Sequence, residues 1–192
     1  LYRKTQPHQG FQLLKQLAEQ LNVPYFVFTS NVDGQFQKAG FDPKFIYECH
    51  GSIHHIQCLN ACTNEVETSD TLKPQINSDS CQWLGNLPKC LECGGLMRPN
   101  ILMFNDATWI STQSDQQEKR LKNWLNQYRS PLVIEIGAGT AIPSVRIFSE
   151  QFSPHLIRIN PREAKVAKNG GMSLSHTALN AISLIFNALI TN

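Results

Sequence analysis

Cys58-x3-Cys62 and Cys90-x2-Cys93 form two close thiol pairs, a spacing that suits a tetrahedral zinc site. Four thiolates fill the metal's shell and leave no position for a reactive water, which is the structural kind of site. Cys81 competes for a place in the set, and free thiols are the plain alternative; the pair spacing favours zinc. A catalytic zinc of the deaminase kind needs His-x-Glu ahead of Pro-Cys-x-x-Cys. Here Lys89 follows Pro88, and no His-x-Glu occurs. All six cysteines lie between positions 49 and 93. A secreted disulfide framework spreads its bridges across the fold, so this clustering also points to metal and an intracellular chain.

The other residue types that could do chemistry stand in loops. His50, in Tyr47-Glu48-Cys49-His50-Gly51-Ser52, is a candidate base near neutral pH, with a glycine beside it that lets a ligand approach. A lone histidine before glycine is equally a structural or capping residue. Asn31 and Asp33 offer an amide and a carboxylate to a sugar or carboxamide, or simply build an Asx turn. Gly137-Ala138-Gly139-Thr140 is a glycine turn of the phosphate-binding type, weak as a motif by itself. Asn160 could hold a ribose hydroxyl or cap its turn. His54 and His55 read as surface residues.

The elements that position these groups alternate between helix and strand. Phe11, Leu14, Leu17, Ala18 and Leu21 share one face of a helix over residues 10–22, closed by Pro24. Tyr25 to Phe28 reads as a buried strand running into Thr29-Ser30-Asn31-Val32-Asp33-Gly34. Leu121, Trp124, Leu125 and Tyr128 mark a second helix before a strand at 132–136. A third strand at 155–159 breaks at Asn160-Pro161-Arg162, and a last helix is expected over 173–190. Apolar strands separated by helices and ending in polar turns predict an α/β fold, an open parallel sheet with its ligand crevice at the strands' carboxyl ends. Residues 53–102, Cys-rich and without clear period over 60–80, read as a zinc-binding insertion between the two parts of the main domain, 1–52 and 103–192. A nucleotide-binding sheet usually opens with a strand and a glycine turn over the pyrophosphate, whereas this sequence opens with a helix.

Composition removes several other classes. The 192 residues are 41% hydrophobic and 17% charged, with a net charge of +2, which fits an ordered domain rather than a disordered one. That charge is too small to make nucleic acid or an anionic membrane the main partner. The longest stretch without a charged residue, 169–192, carries Asn, Ser, His and Gly, so no membrane span is expected. No signal peptide is seen, and the expected location is cytoplasmic.

In order along the chain, these motifs resemble the sirtuin family of NAD-dependent protein deacylases, in a divergent, bacterial type of branch. Thr29 to Gly34 is similar to the family's T-Q-N-I-D-G loop, and His50-Gly51 to its catalytic H-G. The segment Arg98-Pro99-Asn100-Ile101-Leu102-Met103-Phe104-Asn105-Asp106 resembles its R-P-x-V-V-W-F-G-E. Gly137-Ala138-Gly139 falls on its G-T-S, and Ile159-Asn160-Pro161-Arg162 on its I-N-x-E. The resemblance implies a Rossmann-type fold with one structural zinc, and an acyl-lysine protein and NAD as substrates. His50 would be the general base. Ser30, Asn31, Val32, Asp33, Gly137, Ala138, Gly139, Asn160 and Arg162 would contact NAD. Ile101, Leu102 and Phe104 would wall the acyl-lysine tunnel, and Asn105 would meet the peptide backbone. The implied products are free lysine, nicotinamide and O-acyl-ADP-ribose.

Ser30 replaces the family's Gln, Ala138 and Gly139 replace its Thr and Ser, and Asn105-Asp106 replaces Gly-Glu. Arg162 stands where an acid often binds ribose, with Glu163 beside it. The family's opening G-A-G-I-S strand and turn and its G-I-P-D-F-R loop are not found. The expectation is therefore an N-terminally incomplete unit whose NAD binding by itself is weak or lost. ADP-ribosyl transfer on the same fold, and a non-catalytic zinc-stabilised binding module, are the alternatives.

Overall fold

The computed structural model describes residues 4–167 and 170–190. Helix α1 (Gln9–Gln20) starts at His8, whose Nδ1 accepts from the Gly10 N–H at 3.0 Å. After Pro24 the aromatic pair Tyr25-Phe26 leads into β1 (Val27–Thr29), and the polar loop beyond it into the short α2 (Gln35–Lys38) and a 3-10 turn at Pro43–Phe45. Strand β2 (Ile46–Glu48) pairs parallel with β1, Val27 opposite Ile46. Downstream, α3 (Thr112–Gln127), β8 (Val133–Ile136), α4 (Ser144–Glu150), β9 (Leu156–Ile159), β10 (Met172–Leu174) and α5 (Ala178–Ile190) complete the alternation. Strands β8, β9 and β10 form a parallel sheet in the order β10-β9-β8.

The expected α/β architecture is therefore present, with its parallel strands in two groups, β1-β2 and β10-β9-β8. Two apolar clusters lie on them. Ala39, Phe41 and Ile46 pack with Phe11, Tyr25 and Phe36 under the first group. Ile159, Ala181 and Ile182 pack with Leu14, Ile134 and Ile157 between the second group and α5. Leu14 belongs to both, so α1 ties the two groups together. The last helix begins at Ala178, five residues later than its apolar spacing predicts. Met172–Leu174 is drawn instead into a ladder with β9.

Between β2 and α3 the chain makes an antiparallel excursion. Strand β3 (Gly51–Cys58) pairs with β4 (Val66–Thr68) on one side and β7 (Met97–Ile101) on the other. The small hairpin of β5 (Gln75–Ile76) and β6 (Trp83–Leu84) lies beyond them. The β3/β7 ladder shifts register between Ser52 and Ile56, which bulges His54 and His55 out of the pairing. At its base Gly51 has φ +76°, and a Cβ there would stand 2.0 Å from the Asn100 carbonyl oxygen, so this crossing requires glycine. Asn100 is buried and donates to Gln57 Oε1 at 2.8 Å and to the Ile110 carbonyl at 2.9 Å.

Candidate functional site

His50 sits in the turn between β2 and β3. The preceding residue, Cys49, donates its N–H to the Thr29 carbonyl at 2.9 Å, and Ile53 N–H donates to the Val32 carbonyl at 2.9 Å. These two bonds pin the loop after β1 against the turn that carries His50. Within that loop the Asn31 N–H donates to Thr29 Oγ1 at 3.1 Å, and Asp33 Oδ1 accepts from the Gln35 N–H at 3.1 Å. Asp33 thus starts α2, and its carbonyl lies 3.3 Å from His54 Nε2. The two readings left open for these Asx residues are compatible: the backbone and Asp33 build the turn, and Ser30 and Asn31 line the cavity beside it.

The glycine turn after β8 borders the same cavity through Gly137, Ala138 and Gly139. Gly137 has φ +69°, and a Cβ there would meet nothing within 4 Å, so the turn is open to a close approach. Asn160 is buried. Its Nδ2 donates to the Ala138 carbonyl at 3.1 Å, and its Oδ1 accepts from the N–H groups of Arg162 and Glu163, each at 2.9 Å. It caps its turn and locks that turn to the glycine loop. Arg162 is exposed, whereas Glu163 accepts from Thr140 Oγ1 at 2.6 Å, a bond that holds its carboxyl below the usual range. Arg146 reaches across from α4 to the carbonyls of Ala138 and Glu163 at 2.7 and 2.9 Å.

His50 Nε2 lies 3.3 Å from Ser144 Oγ at the start of α4. This partner could not be found in the sequence, since a serine after a proline carries no spacing signal. The histidines assigned to the surface are half-buried instead: His54 fills the space over Gly34, and His55 Nε2 lies 3.0 Å from Gln113 Nε2. Burial lowers the His55 pKa and raises the Cys49 thiol to about 11, which makes Cys49 a poor nucleophile.

Ile101 ends β7, and the chain then turns through Leu102, Met103, Phe104 and Asn105, the last with φ +56°. Leu102 N–H donates to the His50 carbonyl at 3.0 Å, so this segment is fastened to the histidine. Phe104 is 82% exposed. Arg98 holds the segment's ends: it donates to the Ile101 carbonyl at 3.1 Å and to both Asp106 oxygens at 2.9 and 2.7 Å. Burial alone would raise the Asp106 carboxyl, but the Arg98 bonds and the N–H of Met103 bring it below its ordinary value.

Cys58, Cys62, Cys90 and Cys93 converge, their sulfurs all within 4.8 Å of one another. The separations Cys58–Cys93, Cys58–Cys62 and Cys62–Cys90 are 3.6, 3.5 and 3.5 Å. A tetrahedron with zinc–sulfur bonds of about 2.3 Å has edges of about 3.8 Å, so the donor set fits zinc. The N–H of Cys62 leads the groups that lower Cys58 to about 6, favouring the thiolate a metal needs. Cys81 is exposed and stands outside the group, in contact with the Ser78 carbonyl.

Comparison with known proteins agrees with this arrangement. A family model described as the Sir2 family matches residues 1–128. An NAD-dependent protein deacylase of Aquifex aeolicus is 26% identical over 191 residues, covering 98% of this chain and 72% of that protein. An NAD-dependent protein deacetylase of Saccharolobus solfataricus is 31% identical over 140 residues, covering 72% of this chain and 48% of that protein. Among solved structures, a Sir2 homologue in complex with NAD superimposes with a TM-score of 0.68 at 21% identity, over 97% of this chain and 66% of that one. A Sir2 complex with a p53 peptide and NAD+ gives 0.66 at 18% identity, over 97% and 72%. Family match, Rossmann-like fold and zinc-type cysteine cluster coincide in one molecule, and the chain belongs to the Sir2 family.

Proposed function

We propose that this chain carries the base, the nicotinamide-side loop and the acyl-lysine segment of an NAD-dependent protein-lysine deacylase. The observation that supports it best is the hydrogen bonding of His50 to its neighbours. Its carbonyl accepts from Leu102, and the adjacent Cys49 is bonded to Thr29, so the loop after β1 and the segment after β7 are both fastened to the turn that carries His50. NAD, when bound, supplies a sugar carbon that takes the acyl oxygen as nicotinamide leaves. His50 Nε2, which now faces Ser144 Oγ, accepts the proton of a ribose hydroxyl, so that the acyl group can pass from lysine to the sugar. Ser30, Asn31, Val32 and Asp33 hold the nicotinamide half. Gly137, Ala138, Gly139 and Asn160 shape the adenosine half, where the open face of Gly137 admits the ligand. On this reading Glu163 serves the ribose better than Arg162, being fixed by Thr140.

Ile101, Leu102 and Phe104 wall the acyl chain, and Asn105 meets the substrate backbone beside β7, whose second edge has no strand among the described residues. The zinc of the module, residues 53–102, supports the cleft through β3 and β7 without doing chemistry itself.

A second reading, a zinc-stabilised binding module without turnover, is favoured by one observation: the parallel strands stand in two groups, leaving the cofactor side of the sheet divided. Mass spectrometry separates the two. Incubated with NAD and an acetyl-lysine peptide, the zinc-loaded chain is expected to give O-acetyl-ADP-ribose, and His50→Ala none. A folded, zinc-loaded chain that gives no product supports the second reading.

A further inference from the structure

No side chain of Gly137-Ala138-Gly139 can hydrogen-bond, and two glycines leave such a turn many conformations, so its shape has to be fixed from outside. Among the described residues two side chains do this, and both act on one atom. The Ala138 carbonyl accepts from Arg146 Nη2 at 2.7 Å and from Asn160 Nδ2 at 3.1 Å. The same Nη2 donates to the Glu163 carbonyl at 2.9 Å, while Asn160 Oδ1 holds the N–H groups of Arg162 and Glu163. Arg146, from α4, therefore sews the turn after β8 to the turn after β9.

A trans peptide sets its N–H opposite to its carbonyl. With the Ala138 carbonyl drawn toward Arg146 and Asn160, the N–H of Gly139 points away from both. Neither it nor the N–H of Ala138 has an acceptor among the described residues. Ala138 and Gly139 line the large cavity, beside the open face of Gly137, and Arg146 does not line it. The turn is thus held with donors free for a ligand, and the guanidinium stands behind it rather than in front. Arg146 Nε is buried without a partner among the described residues, so the pull of the two carbonyls sets the place of the group.

We propose, building on the assignment of this turn to the adenosine half of NAD, that Arg146 is a positioning residue for it. Arg146 supplies from behind the order that the turn's own side chains cannot, so that the N–H groups of Ala138 and Gly139 face the ligand. It acts through the two carbonyls and not by touching the ligand. Lysine keeps the charge but not the planar, pre-organised group, and is a poor substitute at such a place.

Isothermal titration of ADP-ribose into the zinc-loaded chain is the test, since it reads binding without turnover. Arg146→Met is expected to weaken ADP-ribose by about 10–100-fold and to leave the affinity for an acetyl-lysine peptide unchanged. Arg146→Lys is expected to be nearly as weak. With no ligand present, amide exchange at Arg162 and Glu163 is expected to quicken in both variants, while the Gly137 amide, bonded to the Ile159 carbonyl, stays protected. Equal affinity for ADP-ribose in the wild type and Arg146→Met overturns the proposal. Full rescue by lysine also overturns it, making the charge itself the useful feature. Lost affinity with unchanged exchange overturns it by placing the guanidinium on the ligand. Parallel loss of ADP-ribose and peptide overturns it by making Arg146 a general stabiliser. A wild-type chain that binds no ADP-ribose overturns the assignment of the turn, and the role of Arg146 with it.

Discussion

Arg158 and Glu135 face each other across adjacent strands as a buried ion pair, Nε to Oε1 at 2.6 Å and Nη2 to Oε2 at 2.8 Å, with side chains 2% and 0% exposed. Glu150 adds a bond to Arg158 at 2.9 Å, and Ser149 donates to Glu135. Removing one partner strands the other charge in the interior. Arg158→Leu is expected to cost about 3–5 kcal/mol in urea unfolding. Replacing both by leucine is expected to cost less than the single change, since a matched apolar pair leaves no buried charge. A double replacement as damaging as the single one would mean that the pair contributes more than its own satisfaction.

Zinc removal is expected to loosen the excursion between β3 and β7 before the parallel strands. Elemental analysis is expected to give one zinc per chain, and Cys90→Ser to reduce it. Chelation is expected to raise hydrogen exchange over residues 59–96 while leaving β9 protected. Uniform loss of protection would show instead that the metal holds the whole molecule.

The Asp106 carboxylate gives a pH signature with a definite sign. Its folded pKa lies below the unfolded value, so its contribution is fully present above about pH 4 and fades as pH falls through the folded pKa. Asp106→Asn is expected to lose about 1–3 kcal/mol at pH 7, the worth of charge-assisted bonds to Arg98. The gap between the two proteins is expected to close below pH 4. A pH-independent difference would assign the effect to packing.

His50→Ala is expected to lower turnover by about 10²–10⁴-fold with little change in melting temperature, because among the described residues the ring's polar contact is to Ser144. Ser144→Ala, which only removes a partner, is expected to change turnover by less than about tenfold. Equal losses would make Ser144 part of the proton path.

Phe104→Ala is expected to leave stability within about 0.5 kcal/mol, since the ring is exposed, while raising KM for the acyl peptide. An unchanged KM would remove the ring from the substrate wall.

Helix α1 and strands β1, β8 and β9 are legible in the sequence because their apolar spacing matches one period over enough residues to count. The cysteine group is legible because its ligands come in pairs close in sequence. Strand β10 is not, since Met172–Leu174 is too short for a period and is strand only by its neighbour β9. Arg158 and Glu135 look like interruptions of apolar strands until the register sets them opposite each other. The division of the parallel strands, and the contact of His50 with Ser144, likewise join residues far apart in sequence, which no local pattern encodes.

The crossing of Gly51 beneath Asn100 ends the excursion at a fixed knot, with Leu102 bonded to His50 just beyond it. The stretch between Cys58 and Met97 is fastened to that knot, to β3 through Ser69 and to α3 through the bond of Thr112 to the Asn64 carbonyl, rather than to the parallel strands. Within it the largely exposed β5–β6 hairpin, between Cys62 and Cys90, can lengthen or shorten while the four cysteines and the imidazole keep their places. The excursion is where this architecture can absorb evolutionary novelty, and where an engineer could graft a new recognition loop without retuning the chemistry.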